Sequence, residues 1–173
     1  MAVSFYDVSI ASFLQQLDAV PGVLAKGRQL SETGKIGLDD LYQMRLAPDM
    51  LPFWFQIASV CHHSLGAIRG IEAGRFEPPT HKGDTNYDEL EAIVESARTQ
   101  LRQYSRESIE SLAEKPLVFK VRDREMPFIA RDFVLSFSLP NFYFHATTAY
   151  DMLRIKGAQL GKIDYLGKLH IAR

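Results

Sequence analysis

Residues 133–150 (FVLSFSLPNFYFHATTAY) contain no Asp, Glu, Lys or Arg. A stretch of that length without charge has to be hidden from water, in lipid or in a protein interior. Ser136, Ser138, Pro140, Asn141, His145, Thr147 and Thr148 are too polar for lipid, so the stretch is expected to form a buried helix rather than a membrane span. Its one titratable group at neutral pH is His145. Stepping about 100° per residue, Phe142, Ala149, Met152 and Leu153 fall on the side of His145, while Thr147, Asp151 and Arg154 fall opposite. His145 is therefore expected to point into a core. A core imidazole is either a structural group satisfied by hydrogen bonds or a ligand, and both readings stay open here. Ser9, Ser12 or Gln16 of a first helix, and Ser64 or the Asp49 end of a second, are the expected partners across the core.

The rest of the chain carries the same helical period. Tyr6, Ile10, Phe13, Leu17, Val20 and Leu24 recur at three- and four-residue spacing, which predicts a helix over 4–32 that Pro21-Gly22 should kink or split. A second helix is expected over 49–72, with Asp49 as its cap, Pro52 near its start and Gly74 as its stop. Tyr87, Leu90, Ile93, Val94, Ala97, Leu101 and Tyr104 predict a third over 85–114, ended by Pro116. LVFKV and MPFIA flank Arg122-Asp123-Arg124-Glu125 and predict a small hairpin or irregular cap over 117–130. The fourth helix is expected over 132–156, with Pro140 either an interior kink or an early residue after a Ser138 cap. Asp164-Tyr165, between Gly161 and Gly167, should anchor the chain as it leaves that helix. Four long helices, one moderately long crossing connection between the first two, and little strand signal predict one all-α domain, an antiparallel four-helix bundle.

Composition narrows the function. Twenty Lys and Arg against twenty-one Asp and Glu leave no positive field to attract nucleic acid or an anionic membrane. A lone cysteine, Cys61, forms no internal disulfide, and the first residues lack a basic segment followed by an apolar run, so a cytoplasmic protein is expected. On its helix Cys61 reads as a small buried hydrophobe rather than a nucleophile. No phosphate loop, dinucleotide fingerprint, HExxH or GxSxG motif is present.

Of the five histidines, His81 falls in a polar loop and His170 in the tail. His62 and His63 both turn away from the apolar centre of the second helix, with His62 the better placed for a groove beside Leu51 and Phe55. A metal needs three or four converging ligands, and the supply is thin. The expected small-molecule pocket is His145 with Trp54, Phe142, Met152 and Asp49.

RLAPDMLPFWFQIASVCHH (residues 45–63) and LPNFYFHATTAYDMLRIKGAQLGKIDYLG (139–167) resemble an uncharacterised bacterial and fungal family allied to the DinB/YfiT-like superfamily. The resemblance implies an up-down-down-up four-helix bundle and a homodimer. It also implies a divalent metal, zinc, nickel or manganese, held by one histidine of the second helix and two of the fourth at i and i+4. In this chain His145 matches the first of that pair, Ala149 replaces the second, and His62 is the nearest match for the second-helix ligand. The resemblance thus implies a degenerate metal site. The expected function is a small-molecule-binding or structural module, with a metal-dependent transferase or hydrolase as the alternative. Tyr143 and Tyr150, on the outer side of the fourth helix, are the expected dimer contacts.

Overall fold

The computed structural model describes residues 3–80, 85–169 and 171. His81 and His170 lie outside the described residues. The chain is mostly helical, with seven helices among the described residues and a three-stranded sheet. Helix α1 spans Asp7–Glu32, and a short α2, Leu38–Gln43, follows. α3 runs unbroken over 53–73, and α4 is Tyr87–Leu101. α5 is Arg106–Glu110, α6 runs over 130–155, and α7 is Lys162–Leu166. α3 packs against α6 and α4, while α1 packs against α4, α6 and α7.

The all-α expectation is corrected by the sheet. β2 (Pro116–Val121) and β3 (Arg124–Ile129) form the antiparallel hairpin that the alternating segments predicted. Arg122 takes a positive φ of 53° in the two-residue turn, a conformation such tight hairpin turns demand. β1, Arg75–Phe76, was missed. It adds in parallel beside β2, pairing Arg75 with Val118 and Phe76 with Phe119. Two residues carry no readable period, so only the fold reveals this strand. Gly74, at φ 74°, ends α3 as expected and turns the chain directly into it.

Two helix boundaries also differ from expectation. α3 begins at Phe53 after Pro52, and Asp49 sits exposed in the preceding turn without capping anything. The third expected helix is broken after Leu101: Ser105 accepts a hydrogen bond from Ser108 N at 3.1 Å and starts α5 afresh. Such short hydroxyl side chains offer the backbone a local alternative to helix continuation. Pro21 does not split α1, which continues through it. Pro140 is interior to α6 and does not start it. A proline has no N–H for the carbonyl four residues back, and the helix widens into a π-helical turn at Val134–Ser138 just before it. Asn141 Nδ2 then donates to Phe137 O at 2.7 Å.

The core is apolar and continuous, with Phe13, Phe53, Phe133 and Phe142 among its largest fully buried side chains. Phe76, Phe119, Phe128, Phe133 and Phe137 join the sheet to α6, with ring centroids 4.7 to 6.3 Å apart. α1 is long and apolar enough, by length and composition alone, to cross a membrane. Half of that window is buried inside the molecule, as in the core helix of a globular fold. The tail returns over α1, where Gln16 Nε2 donates to Tyr165 O at 2.7 Å and Gln15 Nε2 to Leu166 O at 3.3 Å. Asp164 Oδ2 accepts from Gly161 N at 2.7 Å, so this pair does anchor the chain end.

Candidate functional site

His62 and His63 lie in a second π-helical turn, His62–Gly66, in the middle of α3. A single widened turn inside an α-helix often accompanies a functional position. α6 passes alongside it. Ser138, fully buried in the π turn of α6, donates its hydroxyl to His63 O at 2.7 Å. The two widened turns are thus joined by a side-chain bond, and His145 lies two helical turns further along α6.

Three imidazoles adjoin. The His63 ring lies nearly parallel to that of His145, with centroids 5.8 Å apart and 14° between planes, and meets His62 edge-on at 5.5 Å. Phe55 and Phe144 stand edge-on to His145 at 5.9 and 5.3 Å, and Phe76 stacks on His62 at 4.4 Å. His63 is 8% exposed, which corrects its expected place off the core. His62 is the half-buried one. The apolar residues of α3 mark one buried face, but α6 and β1 cover a second. Ser59, His63, Ala67 and Gly70 run along it at three- and four-residue steps, all buried. Small residues in line with a histidine were the available signal. A β-carbon on Gly70 would lie 2.9 Å from Phe76 Cδ2, which shows how close β1 comes.

Hydrogen bonds fix two of the rings. His145 Nδ1 pairs with Gln56 Oε1 at 2.8 Å, and Gln56 Nε2 donates to Leu51 O at 2.8 Å. His145 is therefore bonded across the core, but to Gln56 rather than to any of the partners expected from α1, Ser64 or Asp49. His62 Nε2 donates to Glu77 O at 2.8 Å. His63 Nδ1 is buried and has no partner. All three imidazoles are held neutral. Burial lowers the His145 pKa to about 4, with the nearby His62 charge adding to the effect. Burial, followed by the charges of His62 and His145, lowers His63 to about 3. Burial lowers His62 too, against the bond to Glu77 O.

The other expected pocket residues are dispersed. Trp54 is half-buried between Tyr42 and Phe55, and Phe55 stands between it and His145. Phe142 is fully buried against Phe13, its ring 5.1 Å away. Met152 is buried and contributes to a separate cleft of about 190 Å³ with Met44, Arg45 and Ile155. No described hydrogen bond or ion pair joins Asp49 to His145. His62 instead borders a groove of about 410 Å³ with Gly66, Arg69, Phe76 and Glu77. The half-buried Cys61 thiol is pushed up to about 12 by burial, far from the reactive range.

For a metal, the donor set falls short. Among the described residues no group of three His, Cys, Asp or Glu side chains is arranged to hold an ion. Ala149, buried in the core, offers no donor where a further ligand would stand. His145 and His62 each bond an acceptor through one nitrogen, to Gln56 and Glu77, and among the described residues no third donor converges with their other nitrogens. The described residues do not fit the three-histidine centre.

A family model described as a domain of unknown function, DUF1993, matches residues 5–166. The chain belongs to the DUF1993 family. No curated protein matches it. The crystal structure of a DinB family member protein from Shewanella denitrificans is similar to this DUF1993 protein over 97% of this chain and 94% of that one. The two are 26% identical, with a TM-score of 0.82. Together these findings make the protein a DinB-like member of an uncharacterised family, as the wording of residues 45–63 and 139–167 suggested.

Proposed function

We propose that this DUF1993 protein is a metal-free small-molecule-binding module, built as an antiparallel four-helix bundle of up-down-down-up order and working in the cytoplasm as a homodimer. The observation that carries this reading is His145, a neutral imidazole tied through Nδ1 to Gln56 and set among the rings of Phe55, His63 and Phe144. A few polar groups placed among aromatic walls are what orient a small ligand. Exposed Leu135, Tyr143 and Phe144 on α6 support the homodimer. Tyr150 does not, because it packs against Tyr165 of the tail, 5.8 Å away. The test is the metal content of protein purified without an affinity tag. Under this reading zinc, nickel and manganese are each far below one per chain. Near-stoichiometric metal would overturn it in favour of a metal-dependent transferase or hydrolase.

A further inference from the structure

The hydrogen-bond chain behind His145 settles which of its nitrogens carries the proton. A backbone carbonyl only accepts, so the Gln56 amide must turn its NH2 toward Leu51 O, 2.8 Å away. That leaves Gln56 Oε1, an acceptor, facing His145 Nδ1 at 2.8 Å. Gln56 is 2% exposed, so water does not offer an alternative pairing. His145 Nδ1 must then be the donor. Its other nitrogen, Nε2, keeps its lone pair, has no hydrogen-bond partner among the described residues and is not one of the enclosed, unpaired polar atoms.

We infer that Gln56 is a positioning residue that locks His145 in the Nδ1–H tautomer, so that the site presents a bare acceptor and takes a flat, neutral hydrogen-bond donor, a phenol or a similar aromatic O–H or N–H compound. This rests on the binding-module reading and names its ligand class. The acceptor selects for a donor, because a carboxylate would set its own lone pairs against that of Nε2. Phe55 and Phe144, both edge-on to the imidazole, give an aromatic ring surfaces to pack on. Free imidazole interconverts between its two tautomers, so without Gln56 the same histidine would offer donor and acceptor alike.

Long-range proton–nitrogen spectra of ¹⁵N-histidine-labelled protein near neutral pH read the tautomer directly. His145 should show a pyrrole-type Nδ1 and a pyridine-type Nε2, and the reverse pattern would overturn the lock. Gln56→Leu should shift both nitrogens toward the averaged values of a free imidazole, while Gln56→Glu, which still accepts at Nδ1, should hold the wild-type pattern. If Gln56→Leu does not fold, the wild-type spectrum alone still decides. Titration with 4-methylphenol should move the His145 Nε2 signal and change the fluorescence of Trp54, the single tryptophan. Toluene and 4-methylbenzoate should do neither at equal concentration, and Gln56→Leu should weaken the phenol response at least tenfold. An unmoved Nε2, or an equal response to 4-methylbenzoate, would overturn the ligand class. Bound metal would sink the module reading and leave the tautomer measurement intact, so the two failures are distinguishable.

Discussion

Acid should unfold this protein through its histidines before its carboxylates matter, and His63→Phe should remove about half of that sensitivity. His63 and His145 bind protons far more weakly folded, at about 3 and about 4, than at the ordinary value of 6.5. Below that value the unfolded chain holds protons that the folded one refuses. Stability is therefore complete above pH 7 and falls as pH drops from about 6.5 toward the folded values. Each histidine contributes about 1.4 kcal/mol per pH unit over that window, so by pH 5 each has cost about 2 kcal/mol and the pair about 4. A domain of this size typically has 5 to 15 kcal/mol of stability in total, roughly, so the loss is large. His63→Phe replaces one of the two rings with an apolar ring of similar shape among Phe76 and Phe137, which lie 5.7 and 5.6 Å away. It also deletes the unpaired Nδ1, whose burial costs about 1 to 3 kcal/mol. Urea unfolding at pH 7.5 and pH 5 measures both effects. Wild type should lose about 4 kcal/mol or more between the two conditions, with His62 adding to the pair, and the variant about 2 less, with the variant the more stable at pH 7.5. A variant that is weaker at pH 7.5 and loses as much on acidification as wild type would refute the argument.

Other parts of the molecule make their own predictions. A β-carbon on Gly27 would sit 2.4 Å from Tyr87 Oη and 3.1 Å from Leu153 Cδ2, so Gly27→Ala should cost about 1 to 3 kcal/mol in thermal unfolding. Adding Tyr87→Phe, which removes the clashing oxygen along with its bond to Leu24 O, should recover part of that loss, and no recovery would mean that the strain lies elsewhere. Cys61 should react with a water-soluble disulfide reagent far more slowly than a free cysteine, since burial keeps its thiol protonated. Fast labelling of native protein would contradict this. His145→Gln should fold with a modest loss of stability, and divalent metal should shift the melting temperature of neither protein. A metal-induced rise present in wild type and absent in the variant would show that the histidine ligates. Sedimentation at micromolar concentration should give a dimer, and Phe144→Glu should give a monomer. A wild-type monomer would rule out the proposed interface.

The parts of the fold that were legible in the sequence are those where one face alone is buried. α1, α4 as far as Leu101, and the hairpin follow their periods because each presents a single apolar side to the core. α3 is buried on two sides, and there the pattern misleads. His63 reads as turned away from the apolar centre, yet it is buried together with Gln56 and Ser59, because α6 and β1 lie over them. His145 was recognisable from α6 alone as turned toward a neighbouring helix, although it is half-buried beside α3 and not enclosed in the core. Its partner was not, since Gln56 is 89 residues away in sequence and sits on the face that hydrophobicity assigns to water. Asp49 failed for a local reason: Pro48 and Pro52 hold the chain extended or turned on either side of it, so the helix starts after the second proline.

The seam between α3 and α6 is where the molecule departs furthest from a purely apolar core. Gln56, Ser59, His63, Ser64 and Ser138 are all buried in or beside it. Three of them are satisfied: Gln56 by His145 and Leu51, Ser64 by Val60 O at 2.7 Å, and Ser138 by His63 O. Ser59 Oγ and the His63 ring nitrogen are not. Native interiors rarely leave such groups unpaired, and each instance calls for a cause. Stability cannot be that cause, because an apolar residue at either position would remove a penalty of about 1 to 3 kcal/mol. Both orphans lie within one helical turn of each other on α3, and His63 is stacked on the imidazole whose proton Gln56 directs. A seam that tolerates this cost while Gln56 orients His145 among the rings of Phe55, His63 and Phe144 fits the ligand site proposed above. Replacing Ser59 with alanine tests that interpretation, for it should raise the melting temperature while leaving the His145 tautomer and its response to 4-methylphenol unchanged. A lower melting temperature would mean that the hydroxyl is part of the packing and not a tolerated cost of the site.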